Sequence, residues 1–407
     1  MKTGLKETKI LLPKTDDYTA WATIACDQFT SELDYWQTLE KKVAGKRTTL
    51  DLVLPEIYLD EKTDERIKKI NQNIRSYFED GVFSELEKGF ILTVRKTPYV
   101  ERRIGLIGAI DLDEYEYSKK SEALIRSTEG TIEERIPPRL KIRKDAEVEF
   151  PHVMVLFDDE RKEILENLYA RRNEFKKVYD FELNMDGGHI EGYFISDYQS
   201  VLKSFESILD EERLISKYGK ADKFMFAVGD GNHSLATAKA HWNNVKQTLT
   251  EEEKASHPAK YALCEIVNIY DEGIYFEPIF RFVSGVDKKD FIDGLKLVDM
   301  GKVQVYDGEK YQKFDGKATL PEGITNTDEY IKNYISAKGG AVDYIHGEAN
   351  LKKLVDNANG GVGILFEKLS KEDLFKYVSS RGAFPRKTFS MGEGVEKRYY
   401  LEGRKIK

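Results

Sequence analysis

The chain has 407 residues, of which 40% are hydrophobic and 33% charged, with a formal net charge of -8 at pH 7. That length favours two or three domains, and the apolar content excludes a disordered chain. The acidic balance argues against a protein that coats a polyanion, so no nucleic-acid partner is expected. Since no apolar run approaches the roughly 20 residues of a membrane helix and no signal-peptide core follows the first lysines, we expect a cytoplasmic protein without a membrane partner.

Helices and strands alternate along the sequence. Amphipathic, charge-rich patterns predict three helices, at Leu33–Val43, Thr63–Tyr77 and Glu160–Lys176. Apolar runs predict five strands, at Phe90–Val94, Gly105–Ile110, Val153–Phe157, Lys223–Val228 and Ala262–Ile269. Alternation of this kind predicts an α+β (mixed α/β) fold with mixed sheets.

A β-hairpin is predicted near the middle of the chain. Its strands are Val178–Asn184 and His189–Ile195, and Gly187 and Gly188 can supply the positive φ angles of the turn. Asp197, just after the hairpin, is the expected N-cap of the following helix.

The absence of linkers and the number of cysteines limit the possible domain organisation further. The chain contains no long Gly-, Ser- or Pro-rich linker and no internal repeat, so we expect closely docked subdomains over residues 1–150, 151–285 and 286–407. The two cysteines, Cys26 and Cys264, are too few for a disulfide framework or a paired-cysteine zinc cluster. Cys264 lies in an apolar run and is expected to be buried.

The segment 223–242 carries the strongest signal for chemistry, because an apolar strand runs through a glycine turn directly into an alanine-rich helix. Such a turn presents free backbone N–H groups and the positive end of the helix dipole to an anion. We predict phosphate or nucleotide contacts from Gly229, Gly231, Asn232 and Ser234. Asp230 and His233 are the predicted catalytic groups, and Asp230 is also the predicted metal ligand. A structural alternative stays open, in which Asp230 caps the helix and His233 bonds locally.

A second candidate segment, residues 124–143, mixes arginines with hydroxyl groups. Guanidinium groups bind phosphate or carboxylate oxygens bidentately, and hydroxyls complete such a shell. Phosphate contacts are therefore predicted from Arg126, Ser127, Thr128, Arg135 and Arg139. The alternative is a solvated connector whose charges pair with one another.

Asp27 lies in a polar run before the predicted helix Leu33–Val43 and has no obvious capping role. A carboxylate beside phosphate-binding groups suits a general base that takes a proton from an attacking hydroxyl. The prediction requires Asp27, Arg126 and His233 to converge in the fold, and a purely structural Asp27 stays open as the alternative.

Taken together, these segments resemble the bacterial and archaeal family labelled domain of unknown function ten-fifteen. The likeness covers nearly the whole chain. The matching pieces are the Asp27 region, Arg126–Thr131, Val178–Leu183, the Asp186–His189 turn, Gly229–His233, Glu277–Arg281 and Pro385–Thr388.

Many members of that family carry Asp-Gly-His-His-Arg at the strand-to-helix turn. This motif is similar to the nucleotide-handling motif of the ParB/sulfiredoxin superfamily, which includes a kinase acting on free serine. The resemblance implies a core of that type, in which the turn and the helix start cradle phosphates. Asp230, Gly231 and His233 match the motif, whereas Asn232 stands where a His is usual and Ser234 stands where the Arg would be.

The residues and the resemblance lead to one leading hypothesis for the function. It is a phosphotransferase that uses ATP or ADP with Mg²⁺ and acts on a small hydroxyl compound such as free serine. Two alternatives stay open: a nucleotide-binding regulatory switch without turnover, and a metabolic enzyme of another class that binds a carboxylate or phosphate substrate. A homodimer stays open alongside a monomer.

Overall fold

The computed structural model describes residues 2–131, 133–358 and 360–407. The chain forms two compact units, unit 1 with Met1–Ile274 and Glu393–Lys407, and unit 2 with Tyr275–Gly392. Unit 2 is therefore an insertion in the sequence of unit 1. The division of the chain after residues 150 and 285 stays a prediction.

Helices and strands together form the mixed α+β fold that the sequence predicts. The helices of the described residues are α1 Tyr18–Trp21, α2 Leu33–Val43, α3 Thr63–Glu79, α4 Ile136–Lys144, α5 Leu165–Ala170, α6 Tyr198–Glu206, α7 Glu211–Tyr218, α8 Asn232–Val245, α9 Glu251–Ser256, α10 Lys288–Leu295, α11 Leu320–Lys338, α12 Glu348–Asn357 and α13 Lys371–Arg381. In the part of the chain that the structure describes, none of these helices has the length and apolar character needed to cross a bilayer.

The strands are mostly short. They are β1 Leu5–Lys6, β2 Leu11–Pro13, β3 Thr23–Ile24, β4 Phe83–Glu85, β5 Phe90–Lys96, β6 Arg103–Asp111, β7 Tyr115–Glu116, β8 Ile125–Ser127, β9 Val148–Glu149, β10 Val153–Phe157, β11 Lys176–Glu182, β12 His189–Ile195, β13 Phe226–Asp230, β14 Tyr261–Asn268, β15 Phe276–Ser284, β16 Lys302–Tyr306, β17 Tyr311–Asp315, β18 Ala341–His346, β19 Val362–Phe366, β20 Phe389–Met391, β21 Tyr399–Tyr400 and β22 Arg404–Lys405.

Unit 1 is built on a mixed sheet of ten strands, in the order β11-β12-β5-β6-β14-β10-β13-β8-β7 with β1 paired to β6. Alternation along β5 sends Phe90 and Leu92 into one hydrophobic cluster and Ile91 into another. Both faces of the sheet are thus covered, which explains why all nine residues of β6 are buried. Trp242 of α8 packs in the first cluster, and Trp21 and Trp36 pack in the second.

The candidate site lies at one edge of this sheet. Strand β13 runs parallel to β8 and antiparallel to β10. The carboxyl ends of β8 and β13 therefore meet the amino end of β10, where His152 precedes the strand. A short pairing of β21 with β3 brings Tyr400 opposite Thr23 and completes the edge with residues from the 393–407 segment.

Unit 2 has its own sheet of six strands, in the order β17-β16-β19-β15-β18 with β20 paired to β15. The buried guanidinium of Arg281 donates to both carboxylate oxygens of Asp328, at 2.8 and 2.7 Å. It also donates to the carbonyl oxygen of Lys387, so one arginine links β15, α11 and the loop before β20.

Most predicted elements are confirmed, with small shifts at their ends. Helix α2 and strand β10 have the predicted bounds, and Asp197 caps α6 by accepting the N–H of Ser200. Cys264 is buried, as expected. The strand predicted at Lys223–Val228 begins three residues later and extends to Asp230, because the N–H of Met225 donates to Leu124 outside the strand.

The predicted helix Glu160–Lys176 is wrong. Asp159 Oδ2 accepts the N–H groups of Glu163 and Ile164, at 2.8 and 2.9 Å, and holds the chain in a turn before α5. Only Leu165–Ala170 is α-helical, and Lys176 already begins β11. The helical periodicity of the side chains does not show that the Asp159 carboxylate takes backbone N–H groups that a helix at Glu160–Lys176 would use.

Candidate functional site

The turn between β13 and α8 leaves the start of a 14-residue helix open. Gly231 is the N-cap with φ +81° and, as a glycine, provides no side-chain cap, and Asp230 accepts no first-turn N–H among the described residues. Asp230 therefore does not cap α8, and the structural alternative for this carboxylate is wrong. A helix that begins at a glycine in this way presents the positive end of its dipole at the turn, which favours an anion.

Gly231 is required by packing as well as by its backbone angle. A Cβ at this position would lie 3.0 Å from Cδ2 of His152 and 3.1 Å from Cα of Val153. The turn therefore packs directly against the amino end of β10, and the His152 ring lies beside the helix start.

The end of β8 joins the same turn, as its parallel pairing with β13 dictates. The Ser127 hydroxyl lies 2.5 Å from Asn232 Oδ1 and 2.7 Å from the carbonyl oxygen of Glu129. The Thr128 hydroxyl donates to the carbonyl oxygen of Val228 at 2.6 Å. The structure thus brings Ser127 and Thr128 to the glycine turn. There the Ser127 hydroxyl is bonded to a carbonyl and a side-chain amide oxygen, and the Thr128 hydroxyl is bonded to a carbonyl oxygen.

The Arg126 side chain points into a different environment. Its guanidinium donates to both carboxylate oxygens of Asp222, at 2.8 and 2.5 Å, and to the carbonyl oxygen of Ala123 at 2.7 Å. The Phe224 ring lies 4.6 Å from Cζ, and only 3% of the side chain is exposed. This geometry satisfies the guanidinium as a structural ion pair.

Arg139 forms an ion pair on a neighbouring helix. It lies on α4, a helix that packs against α8, and its partner is Glu56. The Arg135 side chain lies outside the described part of the chain. Gly229, His233 and Ser234 are half-buried around the turn.

Asp27 does meet the turn, through a histidine that the sequence did not single out. Asp27 Oδ2 lies 3.1 Å from His152 Nε2, and Gln28 Nε2 donates to Asp27 Oδ1 at 2.9 Å. The other ring nitrogen, Nδ1, lies 2.5 Å from the Tyr400 hydroxyl. Because 27% of the Asp27 side chain remains exposed, the carboxylate is reachable by a ligand.

Electrostatics fixes the charge state of this pair. Burial alone would raise the pKa of Asp27, but the His152 charge and hydrogen bonds hold it below its ordinary value. Burial of the His152 ring opposes its charge, yet the Asp27 carboxylate outweighs that cost and holds the pKa of His152 well above its ordinary value. At neutral pH the pair is a carboxylate and an imidazolium. Burial raises the pKa of Tyr400, so its phenol stays neutral.

Lys397 brings a further charge to the turn. Its Nζ lies 3.5 Å from Asp230 Oδ1, and the residue is only 8% exposed. Lys397 also lies close enough to Asp27 to help lower the pKa of that carboxyl. Two carboxylates, one imidazolium and one ammonium therefore converge at the open start of α8.

Buried arginines hold the Lys397 segment in place. The Arg95 guanidinium donates to the carbonyl oxygens of Val395, Glu396 and Lys397, at 2.7, 3.0 and 2.6 Å, and to that of Gly187 at 3.0 Å. Arg103 adds a bond of 2.9 Å to the Glu396 carbonyl. The backbone that carries Lys397 is therefore fixed independently of any ligand.

Sequence reasoning missed His152, Lys397 and Tyr400. His152 follows a proline and precedes a strand, and Lys397 stands between a glutamate and an arginine, so neither has a local signature. Their partners lie far away in sequence: 125 positions separate His152 from Asp27 and 248 separate it from Tyr400. Only the pairing of β21 with β3 reveals the last contact.

A separate polar group on the hairpin β11–β12 has the spacing of a metal site. Ligand atoms of Asp180, His189 and Glu191 lie within 4.8 Å of one another. The His189 ring is already bound by Asp180 and Glu182, both at 2.9 Å, and Lys177 pairs with Asp180 at 2.5 Å. Hydrogen bonds across the hairpin and the Lys177–Asp180 ion pair account for this cluster.

Two open cavities of about 630 Å³ each lie away from the turn. The first lies between β1 and α6 and includes Lys2, Asp111 and Lys203. The second lies beside the hairpin turn and includes Asp17, Lys46 and Asn184. Neither cavity is lined by Asp27, Asp230 or Lys397, so the candidate site rests on its charges and on the helix start.

Comparisons with known proteins give a family and distant structural likenesses. The sequence model described as "Protein of unknown function (DUF1015)" matches residues 8–338. No curated protein has a sequence that matches this chain.

Three solved structures illustrate the structural likeness. A conserved hypothetical protein from Pyrococcus furiosus is 11% identical with a TM-score of 0.37, covering 74% of this chain and 94% of its own. A free serine kinase in complex with AMP is 11% identical with a TM-score of 0.37, covering 74% and 90%. SbnI with a C-terminal truncation from Staphylococcus aureus is 8% identical with a TM-score of 0.37, covering 70% and 82%. Likenesses this distant say nothing about the ligands of this chain.

The family match spans well over half of the 407 residues. The chain therefore belongs to the DUF1015 family, as the segments from Asp27 to the Gly229–His233 turn predict.

Proposed function

We propose that this member of the DUF1015 family is a nucleotide-dependent phosphotransferase that acts on a small hydroxyl compound. One observation carries the proposal: the Asp27–His152 pair, joined at 3.1 Å, lies against Gly231 at the uncapped start of α8. A reactive carboxylate and an anion-binding helix start are thus side by side, as transfer of a phosphoryl group to a hydroxyl requires.

In this proposal the nucleotide phosphates lie at the first turn of α8. The N-cap there is a glycine without a capping side chain, and Asn232 and Ser234 offer polar side chains at the same turn. Because the dipole and the fixed N–H groups need no rearrangement, they can stabilise the charge that spreads over the transferred phosphoryl oxygens.

Asp27 takes the proton of the acceptor. Its lowered pKa keeps Asp27 ionised at neutral pH, and its partial exposure lets the carboxylate accept a hydrogen bond from a substrate hydroxyl and orient it toward phosphorus. As the new O–P bond forms and the bond to the leaving nucleotide oxygen breaks, the hydroxyl proton passes to Asp27. His152 holds the carboxylate in position and balances its charge. His233, in the first turn, is the proposed phosphate contact.

Asp230 is compatible with a magnesium ion carried by the nucleotide. Mg²⁺ is typically held by one or two carboxylates together with substrate phosphates and waters. Asp230 is half-buried, and its contact among the described residues is the 3.5 Å ion pair with Lys397, so a carboxylate oxygen is available. When bound, the metal would neutralise charge on the phosphates.

The proposal is tested by direct assay. Purified protein is incubated with Mg²⁺, ATP or ADP, and a panel of hydroxy compounds that includes serine, and phosphorylated product is detected by ³¹P NMR. We expect product formation in the wild type and a loss of about 10²- to 10⁴-fold in Asp27→Asn. Asp64→Asn, on an exposed surface ion pair, is the matched control and should keep full activity.

Other outcomes favour the alternatives. Tight nucleotide binding without product formation from any compound in the panel would indicate a nucleotide-binding regulatory switch instead of an enzyme. Displacement of bound phosphate by carboxylates but not by nucleotides would indicate a metabolic enzyme of another class. A homodimeric state, a cytoplasmic location and the lack of a nucleic-acid or membrane partner stay predictions.

A further inference from the structure

Lys397 is a buried lysine whose hydrogen-bonding capacity is unused. Nine tenths of its side chain is buried, yet among the described residues Nζ makes no hydrogen bond and has one ion-pair contact, 3.5 Å from Asp230 Oδ1. An ammonium group has three N–H donors, so a single carboxylate contact leaves donors for a further acceptor. Such an arrangement is typical of a cation that awaits an anionic ligand.

The ammonium lies where the helix start lacks a cation of its own. The first turn of α8 begins Asn232, His233, Ser234 and contains no lysine or arginine. The nearby guanidinium groups of Arg126 and Arg139 are engaged by Asp222 and Glu56. Lys397 therefore reaches this turn from a segment far away in the chain.

The segment that carries Lys397 is rigid before any ligand arrives. Three successive carbonyl oxygens, those of Val395, Glu396 and Lys397, accept hydrogen bonds from the single guanidinium of Arg95. A backbone fixed in this way pre-positions the ammonium and reduces the entropy lost on binding.

We propose that Lys397 binds the phosphate oxygens of a ligand at the first turn of α8, exchanging its contact with Asp230 for the anion. The chemical class is a phosphate or polyphosphate, because a helix start and a pre-positioned ammonium suit a tetrahedral, multiply charged group. That the phosphate belongs to a nucleotide rests on the proposed function. Anion binding itself is inferred from the contacts of Lys397 alone.

The test separates the anion from its carrier. Inorganic phosphate, pyrophosphate, ADP, ATP and adenosine are titrated into the wild type, Lys397→Met and Lys397→Arg, with binding followed by calorimetry. Loss of a charged hydrogen bond should weaken pyrophosphate and ADP binding in Lys397→Met by about ten- to a hundredfold. Adenosine, which has no phosphate, should bind all variants equally, and Lys397→Arg should retain most of the phosphate affinity. Lys405→Met, a half-exposed lysine paired with Glu85, is the matched control.

Each outcome decides the matter. Unchanged pyrophosphate affinity in a folded Lys397→Met variant overturns the inference, whether or not nucleotides are consumed. If Lys397→Met loses pyrophosphate binding while the wild type consumes no nucleotide, the anion site is supported and the proposed function is overturned. A wild type that binds neither phosphate nor pyrophosphate overturns the anion site. If Lys397→Met does not fold, Lys397→Gln, which retains an uncharged donor, takes its place with the same criteria.

Discussion

The Asp27 carboxylate and the His152 imidazole, 125 positions apart in the sequence, lie 3.1 Å apart at the open end of α8. Their mutual dependence is strong because the His152 ring is buried and Asp27 is the carboxylate that stabilises its charge. The pair therefore determines both the charge of the candidate site and part of the stability of unit 1.

The first prediction concerns pH. A raised pKa of His152 stabilises the fold fully below its ordinary value of 6.5, and this contribution is lost as pH rises through the folded value. A lowered pKa of Asp27 contributes above its ordinary value of 3.8 and is lost as pH falls through the folded value. His152→Gln should therefore destabilise the protein most between about pH 4 and 6.5 and progressively less at alkaline pH.

Urea unfolding of wild type and His152→Gln across this pH range measures the effect. A difference in unfolding free energy that stays constant from acid to alkaline pH would contradict the ion pair.

The second prediction concerns Arg95. Replacing it by Met leaves three carbonyl oxygens, those of Gly187, Val395 and Lys397, without the Arg95 donor, whereas the Glu396 carbonyl keeps its bond from Arg103. Since each buried unsatisfied group costs about 1–3 kcal/mol, we expect a loss of at least about 3 kcal/mol in unfolding free energy. Chemical denaturation measures it.

Arg171→Met is the matched control for Arg95. Arg171 is 60% exposed and pairs with Glu174 on the surface, so its loss should destabilise the protein far less than the loss of Arg95. Equal effects of the two substitutions would show that the carbonyl contacts of Arg95 do not stabilise the fold.

The third prediction compares two glycines with left-handed backbones. Gly231 and Gly219 have φ angles of +81° and +75°, but a Cβ at Gly219 meets nothing within 4 Å. Gly219→Ala should therefore cost only the backbone strain of about 1–2 kcal/mol. Gly231→Ala adds the clash with His152 and should cost about 1–3 kcal/mol more.

The difference between these two variants, measured by thermal or urea unfolding, isolates the packing of the turn on His152. An equal loss of unfolding free energy in the two variants would mean that the turn at Gly231 is not closely packed against the imidazole.

The fourth prediction separates Arg126 from the phosphate. Removing one partner of its buried ion pair with Asp222 should destabilise the protein by about 3–5 kcal/mol. Pyrophosphate affinity of the folded Arg126→Met protein should stay within about threefold of the wild type, because the guanidinium is bound to Asp222. Calorimetric titration checks this. A tenfold loss of affinity with preserved folding would restore Arg126 to the phosphate site.

Local patterns predicted much of the fold but only part of the site. Helix α2 and strand β10 follow from side-chain periodicity over a few residues, and the open start of α8 follows from the glycine turn. The irregular stretch before α5 was missed because the Asp159 side chain captures two backbone N–H groups. Periodicity records which faces are apolar and carries no information on such side-chain competition.

Long-range pairing decides the remaining contacts. That Ser127 lies beside Asn232 depends on β8 and β13 being neighbours, and that Tyr400 meets His152 depends on β21 pairing with β3. The environment of Arg126 depends on Asp222, 96 positions away. None of these three contacts can be predicted from the residues next to either partner in the sequence.

The insertion of unit 2 into unit 1 determines the order in which the site can be assembled during translation. A ribosome finishes residues 275–392 before it makes the segment Glu393–Lys407 that contains Lys397 and Tyr400. A nascent chain that has emerged through residue 392 already possesses Asp27, His152 and α8, but it lacks the ammonium and the phenol that face them. Since domains generally fold as they emerge, unit 2 can fold early, while the phosphate site is completed only afterwards.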